Sequence, residues 1–207
     1  ELRLDVLDAV RLALGTAGEG GRAQRWLVNG GHGALGSALA ASAPTGAELL
    51  RPPHGELDLL RGAAPLDLFV REHRVSGIIH LASPAVGNTN SSIGDALVML
   101  RNVLDVCASN RVPAFVPSRW EVFGGYRGQV LWANEETELR PEGVLGDAKF
   151  LAEKLLEQYV KRRSLAVTVL RGGLEYGDRA APNFLRSFIE RPRAGSEIVT
   201  HALANGA

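Results

Sequence analysis

From Arg25 onward, short β-rich runs alternate with helix-length stretches, and that rhythm constrains the fold more than any other feature of the chain. The runs are Trp26-Leu27-Val28, Glu48-Leu49-Leu50, Gly77 to Leu81, Ala114-Phe115-Val116 and Ala166 to Leu170. Helical stretches lie between them, at about 34–41, 65–73, 91–110 and 147–163. Parallel strands need a long crossover, and an amphipathic helix supplies it while covering one face of the sheet. The pattern predicts an α/β fold, a doubly wound parallel sheet with helices on both faces. The last helical stretch ends on Lys161, Arg162 and Arg163, where the helix dipole favours cations.

The first strand runs into Asn29-Gly30-Gly31-His32-Gly33-Ala34-Leu35-Gly36. Gly30, Gly33 and Gly36 fit G-x-x-G-x-x-G, and Gly31, Gly33 and Gly36 fit G-x-G-x-x-G. A strand that must turn sharply into a helix aimed at a pyrophosphate needs bare backbone at the turn. It needs bare backbone again where helix and strand pack. The motif follows an expected strand and opens an expected helix, the context that makes it a dinucleotide site of the Rossmann type. Backbone amides of His32, Ala34 and Leu35 belong to the same cradle. About 20 residues on, an acid would take an unmodified ribose. Here the second strand ends in Leu50-Arg51-Pro52-Pro53, and the forked guanidinium of Arg51 suits a 2′-phosphate. NADP is therefore expected, with NAD the alternative, and a protonated His32 would help.

Composition bounds the rest. The chain has 207 residues, 45% apolar and 22% charged, with 23 basic and 23 acidic side chains. That balance argues against disorder and against a nucleic-acid partner. No run approaches the ~18 apolar residues of a membrane span. One cysteine, Cys107, cannot form an internal disulfide, so a reducing cytoplasm is the default expectation. His54, His73 and His201 are scattered without metal-ligand spacing, and no metal is expected. Cys107 reads as a small core residue, His80 as a hydrogen-bonded strand end, and Trp120 as a packing residue.

Further motifs follow in order: Glu56-Leu57-Asp58-Leu59-Leu60, His80-Leu81-Ala82-Ser83, Ser118-Arg119-Trp120-Glu121-Val122-Phe123-Gly124, Gly146-Asp147-Ala148-Lys149 and Leu170-Arg171-Gly172-Gly173-Leu174-Glu175-Tyr176-Gly177. With the glycine turn, this series resembles the extended short-chain dehydrogenase/reductase family of sugar-nucleotide epimerases, dehydratases and reductases. The likeness covers about residues 25–207. It implies that Asp58 and Leu59 meet the adenine and that Leu81, Ala82 and Ser83 line the cofactor. It also implies that Lys149 binds the nicotinamide ribose, and that Asn183 meets a nucleotide diphosphate.

The departures from that family concern proton transfer. Its Tyr acid/base, four residues before the Lys, falls on Leu145, which has no proton to exchange. Losing such a group costs ~10²–10⁴ in rate. Its catalytic Ser or Thr falls on Arg119, which could bind an anionic substrate group. Ser118 stands one residue earlier and, on an extended segment, is expected to point elsewhere. Glu121 sits where the family's dehydratases carry a general base, and Tyr126 lies soon after.

Two readings stay open. One is an NADP-using epimerase/dehydratase/reductase-type enzyme acting on a nucleotide sugar or a biosynthetic intermediate. Its catalytic candidates are Lys149, Glu121, Ser118 and Arg119, with Tyr126 and Asn183 touching substrate. The other is a catalytically dead cofactor-binding regulator or scaffold. The enzyme is preferred, because Lys149 and an intact nucleotide turn would be odd relics. The domain reading is a helix and tether over 1–24, a dinucleotide-binding domain over 25–180, and the start of a truncated substrate lobe over 181–207. A homodimer through the two long helices is carried over from the resemblance.

Overall fold

The computed structural model describes residues 24–84, 89–127, 130–173 and 190–195. The expected helix within 1–14, and Tyr176 and Asn183, lie outside the described residues. The chain divides into two compact units, 1–173 and 174–207, and the whole sheet belongs to the first.

In chain order the elements are β1 (Gln24–Asn29), α1 (Ala34–Ala41), β2 (Ala47–Leu50), α2 (Ala63–Glu72) and β3 (Gly77–His80). There follow α3 (Asn90–Asn110), β4 (Ala114–Arg119), α4 (Gly143–Arg163) and β5 (Val167–Gly172). Single 3₁₀ turns, Leu59–Arg61 and Trp120–Phe123, precede α2 and follow β4. Among the described residues all four strand pairings are parallel, in the order β2-β1-β3-β4-β5. This is a doubly wound, Rossmann-type sheet, whose winding reverses between β1 and β3.

Strand alternation sorts the core into two layers. Leu27, Ile78, Ala114 and Val116 face the layer built with α2, α3 and α4, including Leu66, Val70, Val103, Leu104 and Leu156. Trp26, Val28, Ile79 and Phe115 face the opposite layer, where Leu39 of α1 covers them. Helices therefore lie on both faces, as the alternation predicts. Each fully buried aliphatic side chain stabilises by ~1.5–3 kcal/mol relative to exposure.

Two boundaries differ from expectation. The helix expected from 147 begins at Gly143, because Gly143 and Gly146 carry no side chain to register in an apolar period. Gly146 is there for contact: a Cβ on it would stand 2.7 Å from the Glu121 carbonyl oxygen. Strand β4 runs past Val116 through Pro117 to Arg119. Its pairing with β3 stops at Phe115, so Pro117 faces only β5 and its missing N–H costs the ladder little.

Candidate functional site

The carboxyl ends of β1 and β3 flank the crevice where open α/β sheets bind ligands. The glycine turn sits there. Gly30 takes φ +80°, and a Cβ on it would collide with the backbone of Leu81 and Ala82 at 2.7 Å. A Cβ on Gly36 would stand 2.5 Å from the Gly31 Cα, so α1 packs backbone to backbone on the turn. Gly33 is the N-cap of α1 and no side chain caps it. The first-turn amides, those of Ala34, Leu35 and Gly36, lack intrahelical acceptors by geometry, and together with the dipole they favour an anion.

A cavity of about 610 Å³ opens beside this turn, lined by Gly30, His32 and Gly33 on one side and by Leu57, Leu59 and Met99 on another. Arg51 is not among its lining residues. A Cβ on Gly31 would meet the Arg51 side chain at 2.7 Å, and Arg51 Nη1 donates to the Gly31 carbonyl at 3.2 Å. In return the Arg51 carbonyl oxygen lies 2.9 Å from His32 Nε2. A carbonyl only accepts, so Nε2 is the protonated nitrogen of that ring. Asp58 is drawn into local structure as well. It accepts from the Leu60 amide at 2.9 Å, capping the 3₁₀ turn, and lies 3.5 Å from Arg61. Leu59 is buried in the cavity wall, its carbonyl held by Asn102 at 2.7 Å.

A second cavity, of about 120 Å³, lies between the ends of β3 and β4 and helices α3 and α4. His80, Ser118, Leu145, Lys149 and Glu153 line it. The stretch Leu81-Ala82-Ser83-Pro84 lines both cavities and forms their common rim. Lys149 Nζ reaches the Pro117 carbonyl oxygen at 3.4 Å. Glu153 is buried and held by Arg171 Nη2 at 2.9 Å. Burial, with the Lys149 ammonium adding to it, pushes the His80 imidazole down to about 4, so the ring is neutral at pH 7.

The geometry corrects several expectations. Ser118 does not point away: it is buried and lines the Lys149 cavity, while Arg119 does not. Extended backbone alternates, and the residue that shares a face with Val116 is Ser118. Arg119 instead grips Glu121, with Nε and Nη2 donating to its carboxylate at 3.1–3.2 Å. Neither member of that pair lines either cavity. Among the described residues, His80 Nδ1 and Ser118 Oγ have no hydrogen-bond partner, against the expectation of a bonded histidine. Trp120 is 55% exposed rather than packed, because it opens a 3₁₀ turn on the surface.

Tyr126 does not reach either cavity. Its hydroxyl donates to the Glu138 carbonyl at 3.1 Å, and Arg140 stacks over its ring. Cys107 is fully buried in the core, as expected, with burial raising its thiol to about 12. Among the described residues no cluster could hold a metal ion, and no helix is long and apolar enough to cross a membrane. Residue reading missed His54, Asp95 and Met99 as cavity wall. Asp95 and Met99 carried only a helical period, which places a residue on a face and not beside a crevice.

Residues 26–200 match the family model described as the NAD dependent epimerase/dehydratase family. No curated protein matches the chain. Among solved structures, a dTDP-4-dehydrorhamnose reductase from Bacillus anthracis str. Ames, in complex with NADP, is similar at 23% identity and TM-score 0.69. That match covers 84% of this chain and 62% of that one. A UDP-glucose 4-epimerase from Thermus thermophilus, in complex with NAD, is 24% identical at TM-score 0.66, with coverage of 84% and 64%. A UDP-N-acetylglucosamine 4-epimerase from Bacillus cereus is 19% identical at TM-score 0.67, with coverage of 83% and 61%. The chain thus spans less than two thirds of the length of these structures, and they share its fold.

Proposed function

The chain belongs to the NAD dependent epimerase/dehydratase family, and from that premise we propose that it binds NADP, with NAD the alternative, and acts as an epimerase-, dehydratase- or reductase-type enzyme. Its substrate on this reading is a nucleotide sugar or a related biosynthetic intermediate. The observation that carries the proposal is the rim Leu81–Pro84, which joins the glycine-turn cavity to the Lys149 cavity. The first-turn amides of Ala34 and Leu35 would hold the diphosphate of a dinucleotide there, and Lys149 would hold its far ribose.

The residues fit such a group, because Gly30, Gly31 and Gly33 line the cavity without side chains and no side chain caps the first-turn amides of α1. The bound nicotinamide would supply hydride transfer. The chain supplies orientation and protons. Lys149 Nζ is the cationic proton donor on the wall of the small cavity, and Leu145 replaces the family's phenol with an aliphatic wall. Glu121, engaged by Arg119, is a structural carboxylate on this reading and not a base.

A second reading, a cofactor-binding regulator without turnover, is favoured by Leu145 together with the closed Arg119–Glu121 pair. Calorimetric titration with NADP⁺ and NAD⁺, followed by assays on candidate nucleotide sugars, separates the two. Binding with turnover that falls at least tenfold in Lys149→Met supports the enzyme. Binding with no turnover, and none gained in Leu145→Tyr with Arg119→Ser, supports the regulator. Failure of both dinucleotides to bind defeats both readings.

A further inference from the structure

The polar side chains that line the small cavity sort into those already engaged and those that are not. Ser92 closes the α3 capping box with Thr89. Glu153 is gripped by Arg171, Lys149 donates to the Pro117 carbonyl at 3.4 Å, and Ser83 is exposed at the rim. There remain His80 Nδ1 and Ser118 Oγ, each on a residue more than nine-tenths buried and each without a hydrogen-bond partner among the described residues. Buried groups of this kind are almost always bonded to something in a native protein. The two stand on one face of neighbouring strands. Ile78 pairs with Ala114, and strand alternation puts His80 on the face of Ile78 and Ser118 on the face of Ala114, toward α3 and α4. The rest of the cavity wall is largely aliphatic, with Ile93, Leu97, Leu100, Val116 and Leu145.

We propose that this cavity is a binding site for a small ketone, with Ser118 Oγ and His80 Nδ1 on its carbonyl oxygen and the aliphatic wall around its body. The Ser118 hydroxyl donates to that oxygen. The His80 ring is neutral at pH 7, and in its Nδ1–H tautomer it donates a second hydrogen bond. An apolar cavity of about 150 Å³ takes benzene, so one of about 120 Å³ holds a ligand of roughly that size or smaller and not a nicotinamide with its ribose. A hydroxyl-rich body is disfavoured, because each further hydroxyl would lose its water and find only Leu97, Leu100 or Leu145 in exchange. Leu145 adds aliphatic surface where a tyrosine would have added one more hydroxyl. As a substrate subsite the cavity rests on the enzyme reading above: it admits the carbonyl end of a substrate whose neighbouring carbons bear no hydroxyls.

The test is magnetic-resonance titration of the 207-residue chain, carrying isotope-labelled histidine and no dinucleotide, with three probes of matched size. These are cyclopentanone, methylenecyclopentane, which lacks the oxygen, and dihydroxyacetone, whose carbonyl is flanked by hydroxymethyl groups. Cyclopentanone should bind about tenfold more tightly than either of the others, the worth of one good hydrogen bond. It should also move the ring-nitrogen signal of His80, which is assigned by its absence from His80→Gln. Ser118→Ala should remove the preference for cyclopentanone over methylenecyclopentane, and Ser118→Thr, which restores a hydroxyl, should recover it. Equal binding of the ketone and the hydrocarbon, or a His80 signal that does not move, overturns the inference. Dihydroxyacetone binding as tightly as cyclopentanone overturns the ligand class. Binding of none of the three by a chain that does bind NADP⁺ overturns the site and leaves the dinucleotide reading standing. Ketone binding by a chain that takes neither dinucleotide supports the site and defeats the enzyme reading instead.

Discussion

Gly36 lies against Gly31 so closely that a Cβ on the former would stand 2.5 Å from the Cα of the latter. Backbone cannot yield there as a side-chain tip would. Gly36→Val should push α1 off the turn, destabilise by about 3 kcal/mol and remove dinucleotide binding. Gly94, within α3 and with nothing near its missing Cβ, is the contrast. Gly94→Ala should stabilise by about 0.5–1 kcal/mol, because a helix interior favours Ala. Urea melts of both variants check the pair.

Glu153 on α4 and Arg171 on β5 form a largely buried ion pair within the first unit, at 2.9 Å. Removing one partner strands a charge in a poor solvent. Glu153→Ala should cost about 3–5 kcal/mol, whereas Glu153→Met with Arg171→Leu should cost far less. Equal destabilisation of the single and double variants, measured by denaturant midpoint, would contradict this account.

His80 makes stability depend on acid. Its folded-state value of about 4 lies below the unfolded value of 6.5, so in that window the unfolded chain binds more protons. The contribution is fully present above pH 6.5 and is lost as pH falls toward 4. Between pH 7 and pH 5 the wild-type chain should lose about 2 kcal/mol more than His80→Gln. Parallel pH profiles for the two proteins would show that the ring titrates normally.

Cys107 is fully buried with its thiol raised to about 12. The thiolate is the reactive form. The native chain should resist an aromatic disulfide reagent and release about one equivalent of thiol only once unfolded. Rapid labelling of the folded protein would place Cys107 at the surface.

The order of strands and helices, and the need for glycine at 30 and 36, were legible along the chain. They depend on local periodicity and on contacts around one turn. What the sequence could not fix was direction. Whether Ser118 or Arg119 faces Lys149 depends on where β4 ends and how α4 lands on it, and Gly146 settles that by touching the Glu121 carbonyl. Arg51 read as a ligand cation until folding laid it over Gly31. Only then did His54, silent in the sequence, take its place on the cavity wall. Identity and spacing are properties of the chain, but which groups share a cavity is set by long-range packing between elements far apart in sequence.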